Sequence, residues 1–174
     1  MHSKTCLGAA LAAVFIALAT TLASAAAEPS NDACSLVTQS QVSAALGVSM
    51  GSGSHVTPTF LRTCTWNPSG SSGNGVRALT LYIQSADQYE AGKQMLEQMR
   101  TMAKVEKHGN SQPPVITPLS GIGDDAFYLD MANTMSLIAK KGNVEFKFVI
   151  YGDLPGEKKK AAEKALALEV VSRL

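Results

Sequence analysis

The stretch MSLIAKKGNVEFKFVIY, Met135 to Tyr151, consists of two apolar segments separated by a short polar turn. The dipeptide Gly142-Asn143 suits the two-residue turn of an antiparallel hairpin. In the second segment apolar side chains alternate with others, as they do along a strand that buries one face. These apolar residues are Val144, Phe146, Phe148 and Ile150. Lys147 and Tyr151 fall on the opposite face, so the stretch predicts a β-hairpin with one buried side.

Further strands are predicted on both sides of this hairpin. Phe127 to Leu129 precedes it after a turn, and the three segments together predict an antiparallel meander. VRALTLYIQ, Val76 to Gln84, is a strong strand by its β-branched and aromatic content. Phe60 to Trp66 predicts a strand that carries Cys64, and Val115 to Pro118 predicts a short edge segment bounded by prolines. The alternation of the strong strand places these residues on one face: Val76, Ala78, Thr80, Tyr82 and Gln84.

Three helices are predicted beside the strands. Thr38 and Gln41 have the spacing of a capping box, which predicts a short N-terminal helix from Gln39 to about Leu46. Apolar residues at helical spacing predict a central helix from Ala86 to about Lys104. The same periodicity predicts a C-terminal helix within Glu157 to Leu174. We therefore expect an α+β fold, with these helices packed on a mainly antiparallel sheet.

The start of the chain has the organisation of a secretory signal peptide. A short segment with one lysine, Lys4, precedes the apolar run Leu7–Ala19, and small residues follow as far as Ala27. This order is typical of a signal that is cleaved during export. We expect removal of residues 1–25, with cleavage up to residue 27 as a variant, and a single domain over residues 28–174. A retained N-terminal membrane anchor is the alternative.

Charge excludes two classes of partner for the exported domain. The chain has 15 Lys and Arg against 14 Asp and Glu, and removal of Lys4 leaves 14 of each, a formal charge of zero. Such a balance gives no basic excess for nucleic acid and no polybasic patch for anionic lipid. The one basic run, Lys158 to Lys160, fits a solvated helix face. We expect a periplasmic or extracellular monomer without a stable membrane anchor.

Cys6 lies in the expected signal peptide, so cleavage leaves two cysteines, Cys34 and Cys64. In an exported protein two cysteines most simply form a disulfide. A loop of about 30 residues closed in this way gains ~3–4 kcal/mol in the chain-entropy model. The alternative is a metal site, for which the only histidine nearby is His55. No metal or cofactor is therefore expected.

The stretch GIGDDAFYLD, Gly121 to Asp130, is the best candidate for chemistry in the sequence. A phosphate loop would need a third glycine and a helix start, and a calcium loop would need alternating oxygen ligands. Neither pattern is present. The glycines instead indicate a tight turn, in which Asp124 and Asp125 bind backbone N–H groups where a strand begins. An acid–base role for the two carboxyl groups is the alternative.

Several motifs together resemble a group of small exported bacterial proteins. The motifs are DACSLVTQSQVSAALG (32–47), CTW (64–66), GIGDDAFY (121–128) and KALALEVVSRL (164–174). The group consists of domains of unknown function, many of them actinobacterial lipoproteins. The resemblance implies a compact α+β domain similar to the PsbP-like α/β/α sandwich, with a Cys34–Cys64 disulfide, and it implies no activity, cofactor or catalytic residue. This chain lacks the lipobox cysteine of the lipoprotein members.

The sequence favours a non-enzymatic domain that binds an unidentified envelope protein or a small ligand. Export signals, paired cysteines and a neutral surface are present, whereas a convergent set of catalytic residues is not. The two histidines of the mature chain, His55 and His108, fall in predicted loops and are expected to be exposed. One alternative is an envelope hydrolase or metal-dependent enzyme that uses Asp124 and Asp125.

The second alternative is a lipid or small-ligand carrier with a cavity between sheet and helices, lined by Met95, Met99 and Met102. For the binding domain, the candidate sites are the open face of the sheet and a cleft near Trp66 and Tyr128. The position of Trp66 beside a disulfide favours a packing role over a binding role. The candidate binding residues are Trp66, Asp124, Asp125 and Tyr128.

Overall fold

One antiparallel sheet organises the fold. A computed structural model describes residues 32–70, 75–105, 113–131 and 134–174, and in these ranges seven strands form one sheet with four helices. The strands are β1 (Ser54–His55), β2 (Thr63–Trp66), β3 (Val76–Ser85), β4 (Val115–Pro118), β5 (Asp125–Met131), β6 (Thr134–Lys141) and β7 (Val144–Gly152). The helices are α1 (Ala33–Leu36), α2 (Gln39–Leu46), α3 (Ala86–Val105) and α4 (Gly156–Val171). The α+β class is confirmed, whereas the predicted signal peptide and His108 lie outside the described residues.

The predicted hairpin lies in the middle of the sheet, whose strand order is β1-β2-β3-β7-β6-β5-β4. Lys141 pairs with Val144, so Gly142 and Asn143 form the two-residue turn between β6 and β7. Gly142 has a φ of +55°, a conformation that glycine adopts without steric cost. β5, β6 and β7 are paired in chain order, which confirms the predicted meander.

The main hydrophobic core lies on one side of the sheet, here called the core face. Helices α1, α2 and α4 cover it, because alternate residues of the central strands point towards them. The largest of the buried strand residues on this face are Trp66, Leu79, Leu81, Leu137, Phe146, Phe148 and Ile150. Helix α4 contributes Ala162, Leu166 and Val170 at the predicted helical spacing, and all three are buried.

The opposite side of the sheet, the α3 face, carries a smaller core. Tyr89 and Leu96 of α3 pack there with apolar residues of β5 and β6. The strand residues are Phe127, Leu129 and Ile138. Helices therefore lie on both faces of the sheet, and the buried apolar side chains of α3 pack against β5 and β6.

A β-bulge corrects one predicted strand face. The pairing of β3 with β7 shifts between Val76 and Ala78, so Arg77 is the extra residue. The prediction that Val76 lies on the same face of the strand as Ala78 and Thr80 is therefore wrong. Val76 instead points into the main core together with Leu79. The strand predicted from Phe60 is also too long: residues 60–62 form a turn, and β2 begins at Thr63.

The N-terminal segment is tied to the sheet by covalent and polar contacts. Cys34 and Cys64 form a disulfide between α1 and β2, with their Cα atoms 5.0 Å apart. Thr38 and Gln41 make the predicted capping box at the start of α2.

None of the helices in the described ranges combines the length and the apolar composition that crossing a bilayer requires.

Candidate functional site

Asp124 has a structural role in the turn that begins β5. Its backbone N–H donates to the Lys140 carbonyl oxygen at 2.8 Å, and its carboxylate accepts from the Gly142 N–H at 2.7 Å. Gly121 and Gly123 have positive φ angles of +81° and +56°. A Cβ atom on Gly123 would lie 2.3 Å from the Lys140 oxygen. The stretch is a glycine turn fastened to the β6–β7 hairpin.

Asp125 belongs to a charged network that holds α3 against the sheet. Its carboxylate accepts from the Lys93 ammonium at 2.5 Å, and this hydrogen bond lowers the pKa of Asp125. Lys140 makes a second ion pair with Glu90, also on α3. The buried Tyr89 hydroxyl lies beside Asp125, and burial raises the pKa of that phenol. Because the Asp125 carboxylate is ionised and bound by Lys93, it is a poor general acid.

Trp66 and Tyr128 do not form the expected cleft. Trp66 is 1% exposed on β2, and Tyr128 is 8% exposed on β5. Strands β3, β7 and β6 lie between them, and both side chains are buried under the helices of the core face. The Tyr128 hydroxyl donates to the Lys160 carbonyl oxygen of α4 at 2.8 Å. Both residues therefore pack in the interior.

The methionines of α3 do not line an internal cavity. Met95 and Met102 are 63% and 59% exposed, so they face away from the sheet. Met99 is partly buried. The carrier interpretation placed these side chains between sheet and helices, and the outward position of two of them is the reverse of that arrangement.

A groove lies between α2 and α4 on the surface. It has a volume of about 520 Å³ near Leu46 and Leu154 and continues as a shallower section of about 310 Å³. Ala44 and Ala45 line both sections, and small side chains create the space. Gln41 donates to Glu169 at 2.6 Å across one end. Its shape comes from the packing of two helices, and its polar side chains are Lys158 in one section and Gln41 and Glu169 in the other.

A second surface combines exposed aromatic rings with cations on the α3 face, at the half of the sheet formed by β2, β3 and β7. We call it the aromatic patch, and its residues are Phe60, Arg62, Tyr82, Lys147 and Tyr151. Phe60 is 50% exposed and Tyr151 is 41% exposed. The Tyr82 and Tyr151 hydroxyl oxygens are 3.5 Å apart. A cavity of about 270 Å³ opens between Phe60, Arg62 and Tyr82, with Gln84 and Gln88 at its edge.

The charged residues of the aromatic patch are two cations, Arg62 and Lys147, and the neighbouring Glu145 carboxyl group interacts with Lys147 only beyond ion-pair distance. Within the described ranges, neither Arg62 nor Lys147 has a carboxylate within ion-pair distance. The Lys147 ammonium instead lies 4.7 Å from the centre of the Tyr82 ring, a cation–π contact. Burial, together with the hydrogen bond to Tyr151, raises the pKa of Tyr82 to about 12, so the Tyr82 hydroxyl remains protonated at neutral pH.

The sequence predicted that His55 lies in an exposed loop, and this prediction is wrong. It lies in β1, opposite Cys64 in β2, and its side chain is 19% exposed. Its Nε2 atom is 3.3 Å from the Asp32 carboxylate. Its Nδ1 atom is 3.0 Å from the Thr63 carbonyl oxygen and 3.6 Å from the Cys34 sulfur.

Sequence reasoning also missed two buried carboxyl groups. Glu163 of α4 is 0% exposed and Glu145 of β7 is 8% exposed, and burial raises the pKa of both. The signal for Glu163 is its position directly after Ala162 in the apolar stripe of α4. Neither carboxyl group lines the groove between α2 and α4 or the cavity of the aromatic patch.

In comparisons with known proteins, no family model, no curated protein and no solved structure matches the chain. Any functional argument therefore depends on the geometry of the chain itself.

Proposed function

We propose that the chain is an exported, non-enzymatic domain that binds an acidic, aromatic-bearing segment of an envelope protein through the aromatic patch. The observation that carries the proposal is the pair of cations, Arg62 and Lys147, without carboxylate partners beside exposed rings. A partner with carboxylates at matching positions would complete both ion pairs.

The apolar part of the patch supports the same kind of partner. Aromatic and arginine side chains are enriched where proteins bind one another, since they bury large areas and also donate hydrogen bonds. Val56 and Leu61, in the same β1–β2 connection as Phe60, are 68% and 42% exposed. A segment that lies across these side chains would cover apolar area that water now contacts.

Export is supported by two independent features. The Cys34–Cys64 disulfide fits an oxidising compartment, and the N-terminal sequence has the order of a signal peptide. The periplasm and the extracellular space both satisfy this condition. We also propose that the chain is related to the exported, actinobacterial-lipoprotein-like domains that it resembles and shares a PsbP-like fold with them.

The enzymatic alternative has weaker support. A hydrolase that uses Asp124 and Asp125 needs both carboxylates available to a substrate. Asp124 instead accepts from the Gly142 N–H, and Asp125 is bound by Lys93. Neither residue lines a described cavity.

A peptide titration tests the proposal. The probe is an extended, fluorescently labelled peptide in which Asp alternates with Phe and Leu, and the comparison peptide carries Lys in place of Asp. We expect the acidic peptide alone to bind, more weakly at high salt because screening weakens exposed charge pairs. Reversing two cations that touch the peptide, in Arg62→Glu with Lys147→Glu, is expected to weaken binding about ten-fold or more.

The matched control reverses two exposed lysines on the other side of the sheet, Lys158→Glu with Lys164→Glu on α4. This variant has the same net charge as the patch variant, so it separates a local effect from a general one. Equal loss of affinity in both variants, or equal binding of the lysine peptide, would contradict the proposal.

A further inference from the structure

Four side chains from three elements and the segment before them meet at the disulfide. Asp32 precedes α1, Cys34 lies in α1, His55 in β1 and Cys64 in β2. The ligand atoms of Asp32, Cys34 and His55 all lie within 4.8 Å of one another. His55 and Cys64 are directly opposite across the β1–β2 pair, which places their Cβ atoms on one face. Sulfur, imidazole and carboxylate ligands thus converge at one point.

We propose that the reduced form of this cluster binds Zn²⁺ through the Cys34 and Cys64 thiolates and the Nδ1 atom of His55. Asp32 is then a positioning residue, since it accepts from the Nε2–H group and leaves the Nδ1 lone pair for the metal. A carboxylate that orients a metal-binding histidine in this way is a recurrent feature of zinc sites.

The observed distances fit this assignment. Zinc bonds of about 2.3 Å to sulfur and about 2.0 Å to nitrogen, at tetrahedral angles, hold the two ligand atoms about 3.5 Å apart. The Cys34 sulfur and His55 Nδ1 are 3.6 Å apart already, and His55 Nε2 is 3.3 Å from the Asp32 oxygen. Zinc at Nδ1 replaces the contact of this atom with the Thr63 carbonyl oxygen.

Only the cysteine side chains have to rearrange. Two sulfur ligands of one zinc ion stand about 3.8 Å apart, further than the two sulfurs of a disulfide. The Cα atoms are 5.0 Å apart, so rotation of the side chains supplies the separation without a shift of the backbone. Asp32 also accepts from the Cys34 N–H at 2.8 Å, which keeps the carboxylate in place during the change.

An external dithiol supplies the two electrons that reduce the Cys34–Cys64 disulfide. Exchange with the dithiol transfers two electrons to the Cys34–Cys64 bond, gives two thiols and leaves the dithiol as a disulfide. Zn²⁺ then displaces both thiol protons as the two Zn–S bonds form. Reoxidation by a small disulfide reverses the step and releases the metal. Cys34, which is partly exposed, is the sulfur that the reductant reaches, because Cys64 is 0% exposed.

The ligand set selects the metal and leaves one position open. Thiolate and imidazole ligands favour zinc over calcium or magnesium, which take oxygen ligands. Two sulfurs and one nitrogen fill three of four tetrahedral positions, and water or an exogenous ligand takes the fourth. The cluster is therefore a redox-gated metal site that is closed while the disulfide is intact.

A metal titration of the mature full-length domain tests the inference. The protein is reduced with a phosphine, which is then removed, and Zn²⁺ or Co²⁺ alone is added without air. We expect the reduced protein to bind one ion, to show sulfur-to-cobalt charge-transfer absorption, and to gain thermal stability with zinc. The oxidised protein is expected to show none of these changes.

Variants separate ligation from folding. His55→Ala and Cys64→Ser are expected to abolish the cobalt band, and Asp32→Asn, which keeps the helix cap, to weaken zinc affinity about 10- to 100-fold. Asp153→Asn, an exposed acid elsewhere, is the matched control. If reduction unfolds the wild-type chain, zinc has to restore its circular dichroism. Failure to restore it, or equal zinc affinity in His55→Ala and wild type, would overturn the assignment.

Discussion

Glu163 makes the stability of this domain depend on pH. Its side chain is fully buried between α4 and the sheet. Burial raises the pKa of Glu163 from 4.5 to about 8, although the Ile150 backbone amide and Lys159 oppose the rise. The folded protein therefore retains this proton at pH values where the unfolded chain has lost it.

The sign and size of the effect follow from that difference. Below pH 4.5 the carboxyl group is protonated in both states, and its ionisation costs nothing. Between pH 4.5 and about 8 the unfolded state releases the proton first, so the free energy of unfolding falls as pH rises. At 1.36 kcal/mol for each pH unit, the full loss is about 5 kcal/mol. Above this window the loss is constant.

Urea unfolding of wild type and Glu163→Gln measures the effect. The glutamine has nearly the same shape and cannot ionise, so we expect the two proteins to be similar in stability near about pH 4–5. The variant should become several kcal/mol more stable than wild type near about pH 8. Glu157→Gln, whose side chain is 87% exposed on the same helix, is the control and should follow wild type. Parallel pH profiles for wild type and Glu163→Gln would refute the reasoning.

Two further substitutions and their controls test the turn and the disulfide. Gly123→Ala should destabilise the fold by about 1–3 kcal/mol or more, because its φ is +56° and the new Cβ would meet the Lys140 oxygen. Gly92→Ala, in α3 with open space around it, should instead stabilise by about 0.5–1 kcal/mol; the same sign for both in thermal unfolding would contradict this account. Replacing Cys34 and Cys64 by serine should cost about 3–4 kcal/mol in urea unfolding under non-reducing conditions, and the difference should vanish once wild type is reduced. A difference that persists after reduction would show that the substitutions act through packing.

Local patterns carried much of the fold. The Gly142-Asn143 dipeptide and the alternation of β7 specify a hairpin through neighbouring residues alone, and both were predicted. The capping box of Thr38 and Gln41 is equally local and was also predicted. The disulfide followed from a count of cysteines in a chain that was expected to be exported.

The sites depend on contacts between distant residues, and the sequence did not specify these. Asp32 and His55 meet only because β1 pairs with β2 beside α1. The local sequence around His55 does not indicate this pairing, and the histidine was therefore assigned to an exposed loop. The bulge at Arg77 reverses the face of Val76, and no residue type marks it. Glu163 is buried by the packing of α4 on the sheet, whereas its charge favours an exposed position.

The aromatic patch was not predicted from the sequence. Alternation placed Lys147 and Tyr151 on one face of their strand, and the open face of the sheet was named as a place to bind, but only the pairing of β3 with β7 brings Tyr82 beside them. Arg62 and Phe60 join them through the turn between β1 and β2, a segment that the sequence assigned to a strand. The candidate residues Trp66 and Tyr128 were expected near a cleft, and the structure places both rings in the core.

Site-specific photo-crosslinking in the intact envelope tests the central claim most directly. A photoreactive residue replaces Tyr151, in the aromatic patch, or Leu168, which is 48% exposed on α4 at the other side of the sheet. The crosslinked peptides are then sequenced by mass spectrometry. The account predicts a protein segment rich in Asp or Glu with aromatic or leucine residues from position 151, and no such segment from position 168. Crosslinks from position 168 alone, or segments without an acidic excess from position 151, would contradict it.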